Sequence, residues 1–153
     1  MAPPEREVEV PYLNLAVLDN AVARVKKSAK AYDESYLAFA GHGTELPAAQ
    51  AAQLNALLRG MEATLTNTRG LPGREWYRHY IYAPGLLTGY GVKTVPGVRE
   101  AIEDDKWERA NEFAGLTADV LTKYSERLDQ ATALLARAAH PGGATSAPDK
   151  TRP

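Results

Sequence analysis

The sequence predicts an all-α protein: an antiparallel helical bundle of three long helices and one short one, with a long aromatic, Pro/Gly-bounded loop between the second and third long helices. Three observations predict it. Apolar residues recur at steps of three and four in three separate stretches, the signature of an amphipathic helix. Glycine and proline fall between those stretches, where helices stop. No segment alternates apolar and polar residues convincingly enough to read as a strand, and no internal repeat is visible. At 153 residues the chain is one domain's worth, large enough for a single core.

Residues 1–11 read as an extended lead-in. They are acidic and proline-containing, which is not the pattern of a signal peptide. The first helix is marked by Leu18, Val22, Val25, Ala29, Tyr32, Tyr36 and Phe39, and Gly41-His42-Gly43 ends it. Pro47 opens the second within its first turn. There Ala51, Leu54, Leu58, Met61 and Leu65 carry the stripe, and Gly70 and Pro72 are expected to stop it. Pro96-Gly97 begins a short helix over 98–104. The longest helix runs from Lys106 to about Ala138, striped by Trp107, Ala110, Ala114, Thr117, Leu121, Tyr124, Leu128, Ala131 and Leu135. The expected organisation is therefore a helical domain over 12–138, followed by a Ser/Pro/Lys-rich disordered tail over 139–153.

Net charge is −1 with the two signs evenly mixed, which argues against a nucleic-acid-binding face. The longest apolar runs are a few residues, too short to insert directly into a membrane. The absence of cysteine removes disulfide and thiolate chemistry.

Catalytic machinery is not expected in this chain. Its three histidines, His42, His79 and His140, are scattered and form no His-Glu-x-x-His or similar ligand pairing, so no metal site is expected. Ser28, Ser35, Ser125 and Ser146 lack a Gly-x-Ser-x-Gly elbow. The glycines between Gly85 and Gly91 are followed by no Gly-Lys-Ser/Thr and form no phosphate loop. Asp104-Asp105 reads as a helix-end feature before the Lys106 helix.

The loop is the informative part. Trp76-Tyr77-Arg78-His79-Tyr80-Ile81-Tyr82-Ala83-Pro84 interrupts the helical pattern, and with Tyr90 it holds four of the chain's eight tyrosines. A connection of roughly 25 residues, where about 4 to 6 is usual, is either functional or holds an element the periodicity does not reveal. Between Arg69 and Pro96 lie Arg69, Arg74, Arg78 and Lys93 against one acid, Glu75. Guanidinium and phenol together suit a carboxylate ligand, Arg giving a bidentate pair of hydrogen bonds and Tyr a directed third. The alternative is a packing role. In that case Arg78 pairs with a carboxylate or carbonyl, His79 donates to backbone, and Trp76, Tyr80 and Tyr82 pack the loop onto the helices.

Gly70-Leu71-Pro72, Trp76-Tyr77-Arg78-His79, Ile81-Tyr82-Ala83-Pro84, Tyr90 and Pro96-Gly97 resemble the C-terminal dimerisation domain shared by the transferrin receptor and the glutamate carboxypeptidase II family of zinc exopeptidases. The resemblance covers roughly residues 10–135. It implies a homodimerisation domain within a larger parent protein, a zinc-dependent metallopeptidase whose zinc lies in its own peptidase domain. The partners implied are a second copy of the chain and that peptidase domain, and such parents are typically secreted or membrane-anchored ectodomains. It further implies that the loop over 70–96 completes the parent's substrate pocket. In the family a Lys-Tyr pair there binds the carboxylates of a C-terminal glutamate. The Tyr falls on Tyr90, with Arg78 as a second substrate-binding candidate, whereas the Lys position is Gly89.

A dimerisation domain also needs apolar surface beyond its core seam, roughly 800 Å² per partner. Leu37, Leu57, Phe113, Leu116, Val120 and Leu134 widen the stripes and are the interface candidates. Two other readings fit the same residues. One is a non-catalytic, receptor-like interaction module, and the other is a free-standing helical protein that binds an anion through Arg74, Arg78 and Tyr90.

Overall fold

Helices form where the apolar stripes fall. The computed structural model describes residues 10–43 and 45–139. Along it run α1 (Ala16–Gly41), α2 (Ala48–Arg59), a 3-10 turn (Glu62–Leu65), β1 (Tyr82–Pro84), β2 (Val92–Thr94), α3 (Pro96–Glu103) and α4 (Trp107–Ala139). The fold is all-α in class, with one small two-stranded sheet. The lead-in up to residue 9, the tail from residue 140, and with them His140 and Ser146, lie outside the described residues. Among the described residues no helix is long and apolar enough to cross a membrane.

Local chemistry sets the helix ends. Asn14 Oδ1 accepts the Ala16 N–H at 3.1 Å, satisfying one of the orphan donors at the start of α1. Beyond its far end, the His42 ring donates from Nδ1 to the Ala38 carbonyl, and Gly43 turns the chain at φ 61°. Pro47 sits at the start of α2, its carbonyl taking the Ala51 N–H at 2.9 Å. This helix ends earlier than expected. Gly60 closes it by donating to Ala56 and Leu57, and the chain tightens into the 3-10 turn.

The chain forms two compact units. The first comprises residues 10–23 and Leu65–Leu121, and the second comprises Arg24–Thr64 and residues 122–139. In the first, Leu71, Tyr80, Ala83, Val98, Ala101, Ala110, Phe113, Ala114 and Val120 form the core. Its alanines permit close approach, and Gly97 more so: a Cβ there would lie 2.1 Å from Phe113 Cδ1. In the second, Leu54 of α2 packs with Ala131 and Leu135 of α4, joined by Tyr32 and Phe39 of α1.

Phe113 and Val120 therefore do not belong to a surface. They are 1% and 0% exposed, because the width of the α4 stripe is used by the loop and α3 that pack on it. Leu116 is half-buried against the same core. Of the proposed interface residues, Leu37 is exposed, and Leu57 and Leu134 are half-buried.

Candidate functional site

The loop over 70–96 is held from beneath and open at its end. Its first half folds back on itself. Gly70, at φ 69°, makes a turn so tight that a Cβ would sit 2.0 Å from the Glu75 carbonyl oxygen, a position only glycine fills without strain. Leu71 N–H donates to Tyr77, Arg74 N–H to Leu71, and Tyr77 N–H to Arg74. Farther out, Asn67 N–H donates to the Arg78 carbonyl and Tyr80 N–H to Leu65. Tyr80 is the deepest aromatic. Its ring lies 5.6 Å from Phe113, and its hydroxyl donates to the Gly70 carbonyl at 3.0 Å. Burial raises the Tyr80 phenol above its ordinary value.

The other motif residues divide by exposure. Ala83 is buried, Tyr77 and Ile81 are half-buried against the core, and Trp76 is 77% exposed with Arg78, Tyr82 and Pro84 also outward. Core packing thus explains Tyr80 but not Trp76. At His79 the Nδ1 atom is an acceptor. It takes the N–H groups of Ile81 and Tyr82, both at 3.3 Å, which puts the ring proton on Nε2. The His79 ring lies 4.0 Å from that of Tyr82.

Beyond Ile81 the chain rises as an antiparallel ribbon, pairing Tyr82 with Thr94, Ala83 with Lys93 and Pro84 with Val92. Strands of three residues carry too little alternation to be read in the sequence. Val95, at the foot of β2, takes a left-handed φ of 48°, which costs an L-residue about 1–2 kcal/mol. Its N–H donates to Ile81 and its carbonyl accepts the first N–H groups of α3, from Val98 and Arg99.

At the top of the ribbon, Gly85 N–H donates to the Gly91 carbonyl and closes a tip. The tip is apolar and outward: Leu87 is 89% exposed and Tyr90 completely so, with Leu86 and Val92 beside them.

The excess of positive charge counted along the loop disappears in three dimensions. Arg69 pairs with Glu112 and lies over the Phe113 ring, 5.4 Å from its centre. Arg74, 5% exposed, donates from Nη2 to both oxygens of Glu100 at 2.8 and 2.9 Å. Lys93 donates to Glu103. Those hydrogen bonds, from Arg69 and Lys93 respectively, hold Glu112 and Glu103 below the usual carboxylate value. Of the four loop cations, Arg78 alone has no carboxylate partner among the ion pairs of the described residues. Arg74 is inside the fold and committed, so Arg74, Arg78 and Tyr90 do not form an anion site together. The carboxylates that neutralise the loop, Glu100, Glu103 and Glu112, had no visible partner in the sequence, because the pairing depends on how α3 and α4 are placed.

Among the described residues no three His, Cys, Asp or Glu side chains are grouped to hold a metal ion. His42 and His79 are each engaged with their own local backbone.

Comparison with known proteins gives a consistent set. The sequence pattern described as the transferrin receptor-like dimerisation domain matches residues 13–129. A protein of Arthroderma benhamiae named as a probable glutamate carboxypeptidase is 35% identical over 107 residues, covering 70% of this chain and 13% of that protein. An Arabidopsis thaliana protein of the same description is 44% identical over 54 residues, covering 35% of this chain and 8% of its own. A Saccharomyces cerevisiae protein named as a zinc metalloprotease is 40% identical over 60 residues, 34% of this chain and 7% of its own. The chain thus spans about an eighth or less of the length of these relatives.

Proposed function

Because the chain belongs to the transferrin receptor-like dimerisation domain family, we propose that it is the homodimerisation domain of a larger, glutamate carboxypeptidase-like zinc peptidase, and that its 70–96 loop supplies part of that peptidase's substrate pocket. The zinc and the hydrolytic groups would belong to the peptidase domain, and this chain would provide assembly and one wall.

One observation carries the pocket role. Tyr90 stands fully exposed on a tip whose two-stranded stem is paired through its backbone and anchored by the buried Ala83. A phenol there adds nothing to this domain's core, which supports a role outside it, donating to a carboxylate bound in an adjoining domain. Gly89 brings no ammonium to the neighbouring position, so the tip favours a peptide's terminal carboxylate over an acidic side chain. In the full-length parent, Tyr90→Phe is expected to raise KM about 10- to 150-fold with kcat little changed, since a hydrogen bond to a charged group is worth about 1.5–3 kcal/mol. An unchanged KM would remove Tyr90 from the pocket.

Self-association is assigned to the second unit. There Leu57 of α2 and Leu134 of α4 line a groove of about 470 Å³ with Ala56 and Ala133, and Arg127 and Arg137 also border it. Light scattering across a concentration series is expected to move from the 16.6 kDa monomer to twice that mass. Leu134→Lys should hold the chain at the monomer mass while its circular dichroism stays helical. A variant that dimerises as well as the native chain would place the interface elsewhere.

A further inference from the structure

At its base the tip that carries Tyr90 is met by a carboxylate of α3 that accepts one of its backbone N–H groups. Glu100, in the middle of α3, makes two kinds of contact at once. It receives the buried Arg74 guanidinium from the first half of the loop, and its Oε1 accepts the Leu86 N–H at 3.0 Å, at the base of the tip. One turn farther along α3, Glu103 takes Lys93 of β2. The two carboxylates therefore meet opposite sides of the ribbon, one where the chain enters the tip and one where it returns. Arg74 is locked in turn by the backbone bonds of the 71–77 turn.

Glu100 is mostly buried, its side chain 14% exposed against 6% for Arg74. A paired charge in such a place does little for stability compared with apolar packing of the same volume. What it does supply is direction: a hydrogen bond from a charged acceptor fixes the Leu86 amide, and with it the plane from which the tip departs. The other backbone hydrogen bonds of the tip, Gly85 to Gly91, Gly89 to Gly85 and Tyr90 to Thr88, are internal to it. They shape the tip but do not say where it points.

We infer that Glu100 is a positioning residue for Tyr90: through the Leu86 amide it sets the orientation of the tip relative to α3, with Arg74 neutralising it. The inference rests on the pocket reading for its purpose, but the clamp is testable without any substrate. Removing Glu100 alone would strand the buried Arg74 charge and destabilise the unit for that reason, so the test is made in an Arg74→Met background. There Glu100→Gln keeps an acceptor for Leu86 and Glu100→Ala removes it.

Amide hydrogen exchange by NMR is the readout. In R74M/E100Q, Leu86 and the tip amides should exchange at close to the native rate. In R74M/E100A they should exchange at least about tenfold faster, the equivalent of about 1.4 kcal/mol of lost protection. Amides of α2 and the last turns of α4 should be equal in both. Equal tip exchange in the two variants overturns the clamp. General acceleration that reaches α2 also overturns it, because Glu100 would then be holding the fold and not the tip. Either failure leaves the Tyr90 KM test standing, and a flat KM for Tyr90→Phe leaves the clamp standing as an ordering device without a pocket to serve.

Discussion

Tyr80 joins two parts of the loop ten residues apart with a single hydroxyl, donated to the Gly70 carbonyl in a buried setting. Tyr80→Phe keeps the ring against Phe113 and loses that bond, so unfolding should become easier by about 1 kcal/mol. Chemical denaturation measures it, and a variant as stable as the native chain would mean that the bond does not contribute. The exposed carboxylates give a pH signature. Glu103, Asp104 and Glu112 are each held below the ordinary values of 4.5, 3.8 and 4.5, first by hydrogen bonds from Lys93, Lys106 and Arg69. A depressed folded-state value means that the contribution is complete above the ordinary value and is lost as pH falls through the lower one. The melting temperature should therefore be flat from about pH 7 to about pH 5 and should fall on further acidification, less so at high salt. A fall confined to the upper interval would contradict this. Residue by residue, the sequence announced Tyr80 only as one aromatic among several. It did not distinguish it from Trp76, since what separates them is the presence of Phe113 beneath one and nothing beneath the other.

At the scale of elements, α1, α2, α3 and α4 were legible because a stripe at three-and-four spacing has few other uses; Gly and Pro marked the end of α1 and the starts of α2 and α3, whereas the end of α2 was expected at Gly70 and falls at Gly60. The ribbon was not legible, since three-residue strands leave no periodic trace and their pairing depends on what α3 holds. The same limit explains the two misassigned interface residues: the width of a stripe does not say whether a neighbouring element or a partner covers it, and at Phe113 it is α3, through Gly97. That close approach gives a prediction. Gly97→Ala sets a methyl 2.1 Å from Phe113 Cδ1, and rigid aromatic against helix backbone relaxes poorly, so a loss of about 1–3 kcal/mol is expected. The added helix propensity of alanine, about 1 kcal/mol, works against this and sets the lower bound. A stabilised variant by thermal melting would show that α3 is free to shift.

At the scale of the whole molecule, the family membership was legible from a loop of modest length, while the partner surfaces were not, because they depend on chains outside this one. The exposed tip has one more consequence, which concerns how the polypeptide is threaded. Each unit takes its core from both sides of the tip: Leu71 and Tyr80 precede it and Val98 and Phe113 follow it in the first unit, while Leu54 precedes and Leu135 follows in the second. Tyr90 and Leu87 are also good chymotrypsin sites on an accessible turn. A brief digestion should give two fragments on a denaturing gel that still elute as one species under native conditions, whereas separation on elution would mean that the cores do not hold the halves together. The domain should then also assemble from residues 1–90 and 91–153 made as separate peptides, a split protein whose two pieces recognise each other through cores that neither can complete alone.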